Sequence, residues 1–293
     1  MKTETFTLEL ITPCFCAGAD QAVAEVRAPS FRGKLRWWFR ILGGSFDDEA
    51  WVFGSVAGEN GQASALTVRV SPLADKKPWQ PINFAGGSNT GYLLYFAKAS
   101  GNGARWNPKG ALPEGARFSI QVVWRREIPP ACGELFDLAL DSFLMLGSLG
   151  LRSTRGLGCF HCLERPFSED ALQKLLERIK KRAPGFLACL GREASRGPQL
   201  FEALGDQLRG LRKGYSAGSP SHSNPTPLGS SNPRQASAVY LRPVLINDGK
   251  KCRIVVFEAP AEKVLAPESR KRAPRLAKGL PPAMAAPNWH RKR

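Results

Sequence analysis

The sequence predicts an α+β fold in two domains, and three observations support this. Segments that alternate apolar and polar residues, as half-buried strands do, open and close the stretch from residue 4 to residue 163. Two amphipathic segments with helical spacing lie between those strands. The chain has 293 residues, which is long for one compact unit and favours two domains of ordinary size.

The first strand is predicted at residues 4–12, where Phe6 and Leu8 alternate with polar neighbours. Pro13 ends this strand, because proline cannot donate to a sheet ladder. Residues 16–22 are rich in Gly, Ala and Asp and are predicted to form a loop.

A basic amphipathic helix is predicted next, with Ser30 as its N-cap and Gly43 as its stop. Its apolar residues share one stripe at spacings i, i+4, i+7, i+8 and i+11, namely Phe31, Leu35, Trp38, Phe39 and Leu42. Three arginines follow the flank of that stripe at i, i+4 and i+8, namely Arg32, Arg36 and Arg40. The stretch from Arg27 to Arg40 holds five basic residues and no acidic one.

The remaining elements complete one domain plan. Strands are predicted at residues 65–70, 92–96 and 116–124, a helix at 134–146 and a short strand at 159–163. The order strand, helix, strands, helix, strand is that of a ferredoxin-like (RRM-like) β-α-β-β-α-β domain with insertions.

A second, smaller ferredoxin-like domain is predicted from helices at residues 169–182 and about 199–213 and strands at 238–246 and 251–257. A Ser/Pro/Asn-rich run at 216–235 is predicted to be a long mobile loop. These patterns predict an N-terminal domain at 1–166, a C-terminal domain at 167–259 and a basic, weakly ordered tail at 260–293.

The charge points to a polyanionic partner. Lys and Arg number 42 against 25 Asp and Glu, a formal net charge of +17, although a solubilising surface charge is the alternative. No stretch approaches the roughly 20 apolar residues of a membrane span, and the start resembles no signal peptide. Seven unevenly spaced Cys are typical of reduced thiols. We therefore expect a cytoplasmic protein with no membrane partner.

A glycine-rich run is the sharpest local signal, with Gly147, Gly150, Gly156 and Gly158 between a helix and a strand. Such a loop can expose main-chain N–H groups to a phosphodiester backbone, and Arg152 and Arg155 add charge. It is neither a phosphate-binding Walker loop nor a dinucleotide fingerprint, because the flanking residues and element order differ. A purely structural turn is the alternative.

The basic helix also has two interpretations. Three arginines at i+4 spacing can be an ordinary solvated face. The run of five cations without an acid, and Trp37 pointing away from the apolar stripe and able to stack on a base, favour a nucleic-acid surface instead.

These residues resemble a known family. The segments Thr12 to Arg40, Phe53 to Ser55 and Leu149 to Gly158 resemble the RAMP superfamily of CRISPR systems. More narrowly they are similar to the first (head) subunit of the type III-B (Cmr) effector complex. The later segment Ala236 to Pro243 resembles the Ser-and-Pro strand of that family's second domain. The tail shows no resemblance.

The resemblance implies two ferredoxin-like domains and a non-catalytic subunit of a type III CRISPR ribonucleoprotein. The implied ligand is CRISPR RNA, or guide–target duplex, near the 3′ end of the guide, in antiviral defence. The implied partners are CRISPR RNA, target RNA, and the backbone and head subunits of the complex. The RNA-binding residues expected from motif and resemblance together are Arg27, Arg32, Lys34, Arg36, Trp37, Arg40, Gly150, Arg152, Ser153, Arg155 and Gly156.

Catalysis is the weaker hypothesis. Asp20 lies in the loop where relatives of this superfamily place an Asp that helps cleave target RNA, so a metal-dependent endoribonuclease is the alternative. A metal-free RNase would need His or Tyr beside a basic motif, and none of the three His lies beside one. The clusters Cys14–Cys16 and Cys159–Cys162 invite a zinc hypothesis but lack the usual spacing. We expect no catalytic residue, no metal and no cofactor.

Overall fold

The computed structural model describes residues 2–20, 23–56, 61–73, 87–97, 110–216, 227–231, 234–246 and 249–264. Contacts divide the chain into two compact units. The first unit comprises Met1–Gln80, Asn107–Leu151 and Leu157–Ala183. The second comprises Pro81–Trp106, Arg152–Gly156 and Pro184–Arg293. Residues 152–156 of the glycine-rich run therefore belong to a different unit from the residues on either side.

A four-stranded antiparallel sheet forms the centre of the first unit. Its strands are β1 (Thr3–Leu10), β3 (Leu66–Pro72), β5 (Arg117–Trp124) and β6 (Phe160–Cys162), in the order β3-β5-β1-β6. A two-stranded sheet joins β2 (Cys14–Phe15) to β4 (Ala111–Leu112). The helices are α1 (Ala28–Ile41), α2 (Phe46–Phe53), α4 (Pro130–Leu146) and α5 (Glu169–Arg182).

The core of this unit forms where α1 and α4 pack together. The ring of Phe31 on α1 meets Phe118 of β5 and Phe143 of α4 edge to face, with both centroids 5.7 Å away. The predicted apolar stripe of α1 is buried along its whole length. The amphipathic interpretation of this helix is confirmed.

The second unit holds a three-stranded antiparallel sheet of β7 (Leu187–Ser195), β10 (Val239–Ile246) and β11 (Lys251–Glu258), in the order β10-β11-β7. The short strands β8 (Ser230–Ser231) and β9 (Arg234–Gln235) pair with each other. The helices are α3 (Asn89–Leu94), continued by a 3₁₀ turn at Tyr95–Ala97, then α6 (Pro198–Ser216) and the short α7 (Ala261–Val264). The ring of Phe257 stacks with those of Phe186 and Tyr240, at centroid distances of 5.4 and 4.7 Å.

Two local predictions were wrong. Residues 92–96 are not a strand but lie in α3 and its 3₁₀ turn, because the Ser88 side chain caps the helix by accepting a hydrogen bond from the Gly91 N–H at 2.9 Å. Gly205 then allows α6 to pack closely against the start of this helix α3, since a Cβ at residue 205 would lie 2.1 Å from the Asn89 oxygen. Ser30 is not the N-cap of α1; the helix begins at Ala28 after Arg27, with a proline in its first turn.

The sequence patterns missed α2 and β7. The structure also places α5 with the first unit, whereas the sequence division put it in the second domain. Arg178 of α5 forms an ion pair with Asp141 of α4 at 2.7 Å, which holds α5 against α4. The helix and strand predictions at 169–182, 238–246 and 251–257 are confirmed. Most of the predicted loop at 216–235 and nearly all of the tail lie outside the described residues.

All seven cysteines are free thiols, and all but Cys16 are buried. None of the helices in the described part of the chain is long and apolar enough to cross a membrane. Among those same residues, no three or more His, Cys, Asp or Glu side chains are grouped so that they could hold a metal ion.

Candidate functional site

Glycines close the loop at residues 147–158 by allowing main-chain segments to approach each other. Gly150, Gly156 and Gly158 have φ values of 72°, 83° and 63°. A Cβ at residue 158 would lie 1.9 Å from the Leu149 oxygen, and one at residue 150 would lie 2.5 Å from the Phe15 oxygen. Side chains are therefore excluded at these positions by backbone contacts within the first unit.

The main-chain amides of this loop are largely used inside the fold. The N–H of Leu149 donates to the Gly158 oxygen at 2.9 Å, and the Leu151 N–H donates to the Phe15 oxygen at 2.8 Å. The Gly158 N–H donates to the Pro13 oxygen at 2.9 Å. The expectation that the loop exposes a row of bare amides does not hold at these three positions, so its side chains are the better candidates for binding.

Arg152 has an unusual backbone conformation. Its φ of 57° makes it the one non-glycine residue with positive φ in the described part of the chain. That conformation costs a residue with a Cβ about 1–2 kcal/mol, and such strain is concentrated at functional sites. The backbone turn places the Arg152 guanidinium 4.5 Å from the Tyr95 ring centroid and 4.9 Å from that of Phe96.

Three more arginines lie in the same part of the second unit. The guanidiniums of Arg209 and Arg212 lie 5.0 and 5.2 Å from the ring centroid of Tyr92. Burial, and then repulsion from Arg152 and Arg212, lowers the pKa of Arg155 to about 10. We call Arg152, Arg155, Arg209, Arg212, Tyr92 and Tyr95 the arginine–tyrosine cluster.

The cluster is fixed to the fold of the second unit. The Leu241 N–H of β10 donates to the Thr154 oxygen at 3.0 Å, and Arg155 forms a parallel bridge to Leu241. A Cβ at Gly156 would lie 2.5 Å from the Leu204 side chain, so the loop packs closely on α6. These contacts hold Arg152 and Arg155 at defined positions between β10 and α6.

One carboxylate of the same unit is already used in hydrogen bonds within the fold. Glu202 on α6 accepts hydrogen bonds from both the N–H and the hydroxyl of Thr90, at 3.0 and 2.9 Å. Among the described residues, none of the four arginines of the cluster forms an ion pair with Asp or Glu. The cluster is thus a concentration of positive charge in which guanidiniums lie over tyrosine rings.

The three arginines of α1 lie along α2. Arg32 donates to the Phe53 oxygen, while Arg36 and Arg40 both donate to Glu49 of α2. The Glu49 side chain is only 6% exposed, and hydrogen bonding from Arg40 lowers its pKa. The side chains of Arg36 and Arg40 remain 38% and 53% exposed. This row therefore has a structural role at the α1–α2 contact and keeps part of its surface in solvent.

The other predicted residues of α1 are differently placed. Lys34 is on another face of the helix; burial lowers its pKa, and Cys14 and Cys159 are the nearby groups that oppose this shift. Arg27 is exposed at the helix start. Trp37 is half-buried, with its ring edge-on to Trp38 at 5.1 Å. In the loop, Ser153 is 7% exposed.

Asp20 is exposed, and its main-chain oxygen accepts from the Val23 N–H at 3.2 Å. The cysteine clusters do lie near each other, since a Cβ at Gly158, the neighbour of Cys159, would lie 3.3 Å from the Cys14 Sγ.

Sequence reasoning missed four residues of the cluster, namely Tyr92, Tyr95, Arg209 and Arg212. The two tyrosines were assigned to a strand, which hid their i, i+3 spacing. The two arginines have the same i, i+3 spacing on α6, which places them on one helix face. That spacing, together with the cap Ser88, is the signal in the sequence that could have identified them.

Residues 7–161 match the family model of the RAMP superfamily, a span that covers more than half of the chain. The chain belongs to the RAMP superfamily. The matched residues include α1 and the glycine-rich loop, the two motifs that carried the resemblance in the sequence.

Two proteins of Pyrococcus furiosus are similar in sequence. The CRISPR system Cmr subunit Cmr1-1 is 32% identical over 161 residues, which are 53% of this chain and 44% of that protein. The CRISPR system Cmr subunit Cmr1-2 is 49% identical over 46 residues, which are 16% of this chain and 25% of that protein. The matched region spans less than half the length of these relatives.

Two solved structures have a similar fold. The crystal structure of Cmr1 from Pyrococcus furiosus (apo form) matches with a TM-score of 0.60 at 22% identity, covering 88% of each chain. A chain of the type III-B Cmr-beta complex bound to cognate target RNA matches with a TM-score of 0.52 at 10% identity, covering 87% of this chain and 94% of that one. At these identities the likeness establishes the fold alone.

Proposed function

We propose that the chain is a non-catalytic RNA-binding subunit of a type III CRISPR ribonucleoprotein in antiviral defence. Its ligand would be CRISPR RNA, or guide–target duplex, near the 3′ end of the guide. The proposal is supported by membership of the RAMP superfamily, by similarity to Cmr1 subunits and by fold likeness to a chain in a complex bound to target RNA.

The arginine–tyrosine cluster is the observation that carries this proposal. Arg guanidiniums bind phosphate through paired hydrogen bonds, and they stack on aromatic faces at the same time. Four of them lie around two tyrosines, and the pKa of Arg155 is lowered by burial and by its arginine neighbours. Phosphate would relieve that repulsion, so binding of a polyanion is favoured by the arrangement.

The first unit contributes a second basic surface in this proposal. The exposed parts of Arg27, Arg36 and Arg40 would contact the sugar–phosphate backbone, since Arg36 and Arg40 share the single carboxylate of Glu49. Lys34, Arg32 and Trp37 would support that surface by packing, and Gly150 and Gly156 would shape the glycine-rich loop.

We also propose that both units are ferredoxin-like. In the first unit the strands, taken in chain order, lie in the sheet as second, third, first and fourth, with α1 and α4 as crossovers. In the second unit β7, α6, β10 and β11 follow the first four elements of the same plan. The backbone and head subunits of the complex are the proposed protein partners.

Competition between polyanions tests this proposal. The full chain is titrated with a labelled single-stranded RNA, and heparin of equal total charge is the competitor. A specific RNA-binding subunit retains RNA at heparin concentrations that strip it from a non-specific basic protein such as lysozyme, which serves as the control. Equal displacement from both proteins would contradict the proposal.

A further inference from the structure

We infer that Tyr95 is a stacking platform for an unpaired RNA base, so that the arginine–tyrosine cluster takes a single-stranded segment. This inference rests on the proposed function and narrows it. In this inference the second unit recognises single-stranded RNA, and Tyr95 is the residue that contacts the base.

Tyr95 is exposed where its neighbours are buried. It is 55% exposed, whereas Leu93, Leu94 and Phe96 are at most 5% exposed. The 3₁₀ turn at Tyr95–Ala97 places Tyr95 outward at the end of α3. Its neighbours form the core contacts of the turn, so the packing of the turn leaves most of the Tyr95 side chain in solvent.

One face of the Tyr95 ring is already covered. The Arg152 guanidinium lies 4.5 Å from the ring centroid, and the Phe96 ring meets Tyr95 edge to face at 6.1 Å. Arg152 is itself fixed by its left-handed backbone and by a hydrogen bond to the Leu93 oxygen at 3.4 Å. The ring is therefore held on one face by Arg152, while 55% of the Tyr95 side chain is exposed and open to a further partner.

A ring held in this way suits a nucleobase. A planar base gains dispersion contact with the open face, and the cation on the other face holds the ring in place for stacking. Tyrosine provides this surface with few rotatable bonds to immobilise. Arg212, whose guanidinium lies 5.2 Å from the Tyr92 ring centroid, and Arg155 belong to the same cluster and would attract the phosphates of the bound strand.

A preference for single-stranded over double-stranded RNA follows from the same geometry. In a duplex both faces of each internal base are covered by neighbouring pairs, so within a strand an aromatic platform is accessible only to an unpaired base. An abasic strand keeps its phosphates but offers nothing to stack. The inference therefore ranks a single strand with bases above both a duplex and an abasic strand of equal length.

Fluorescence of 2-aminopurine tests the inference with the full chain. A short single-stranded RNA carrying one 2-aminopurine is titrated at fixed salt, and stacking on Tyr95 is expected to quench the probe. Tyr95→Leu is expected to lose the quench and to weaken binding about tenfold, while the slope of affinity against salt is unchanged. Tyr95→Phe is expected to retain both quench and affinity. Trp51→Leu, which removes another exposed aromatic side chain, is the matched control and is expected to behave as wild type.

Two outcomes overturn the inference. The first is a quench that persists in Tyr95→Leu. The second outcome is measured on wild type alone. It is found if an abasic strand or a duplex of equal length binds wild type as tightly as the single strand with bases does. In either case RNA still binds and the proposed function stands. If wild type binds none of these RNAs, the proposed function fails as well.

Discussion

The guanidinium of Arg152 lies over the ring of Tyr95, 4.5 Å from its centroid, and this contact depends on a left-handed backbone at Arg152. The relationship joins the glycine-rich run at residues 147–158 to α3, which lies more than 50 residues earlier in the chain. A strained backbone turn is thus used to place a charge against an aromatic surface. Relaxing that turn would move the charge away from the ring.

Gly158 is the position where the loop tolerates a side chain least. Gly158→Ala is expected to destabilise the protein by at least about 2 kcal/mol, because its φ is 63° and its Cβ would meet the Leu149 oxygen at 1.9 Å. Thermal unfolding of the full chain measures the effect.

Gly33 supplies the matched control for this substitution. It lies inside α1, where an added Cβ meets nothing within 4 Å. Gly33→Ala is expected to stabilise the protein by about 1 kcal/mol, because alanine favours a helix interior. Equal destabilisation by the two substitutions would show that the loop geometry is not the cause.

Glu49 couples α1 and α2 in a pH-dependent way. Hydrogen bonds from Arg40 and Arg36 hold its pKa below the ordinary value of 4.5. A lowered carboxyl pKa gives stability that is complete above pH 4.5 and is lost as the pH falls through the lowered value. Glu49→Gln is therefore expected to cost about 2 kcal/mol near pH 7 and progressively less below pH 4.5.

Urea unfolding at several pH values measures this difference. Glu193→Gln is the control, because its ion pair with Arg253 is 37% exposed on the carboxylate side and contributes little. A Glu49→Gln penalty that is the same at pH 7 and at pH 4 would rule out the ionised pair as its source.

Asp20 distinguishes the binding subunit from the nuclease alternative. Single-stranded RNA incubated with the full chain is expected to stay intact with and without divalent metal, and Asp20→Ala is expected to change nothing. Gel electrophoresis of the RNA measures this. Cleavage that requires metal and disappears in Asp20→Ala would establish the endoribonuclease function instead.

Local periodicity predicted the elements of the fold well where a single face is buried. The stripe from Phe31 to Leu42 and the alternation at 117–124 follow directly from packing on one side of an element. Tyr92 to Phe96 was misread because a short apolar run suits a strand or a helix, and only the cap at Ser88 decides between them.

The candidate site was less predictable, because its residues are brought together only by the tertiary fold. Glu49 follows the arginines of α1 only after a turn, so their ion pairs depend on how α2 folds back. Arg209 and Arg212 reach Tyr92 from 117 and 120 residues along the chain. Pattern reasoning cannot bring such distant residues together, although it correctly placed Arg152 and Arg155 in a loop of special geometry.

The salt dependence of RNA binding tests the central claim, that the arginine–tyrosine cluster binds phosphate. The double variant Arg155→Ala/Arg212→Ala is compared with wild type and with Arg253→Ala, whose arginine is paired with Glu193. Each lost phosphate contact on a single strand reduces the slope of log affinity against log salt by about 0.7. A slope reduced by about 1.4 in the double variant, with Arg253→Ala unchanged, is the predicted result. A double variant with the slope and affinity of wild type would contradict the account.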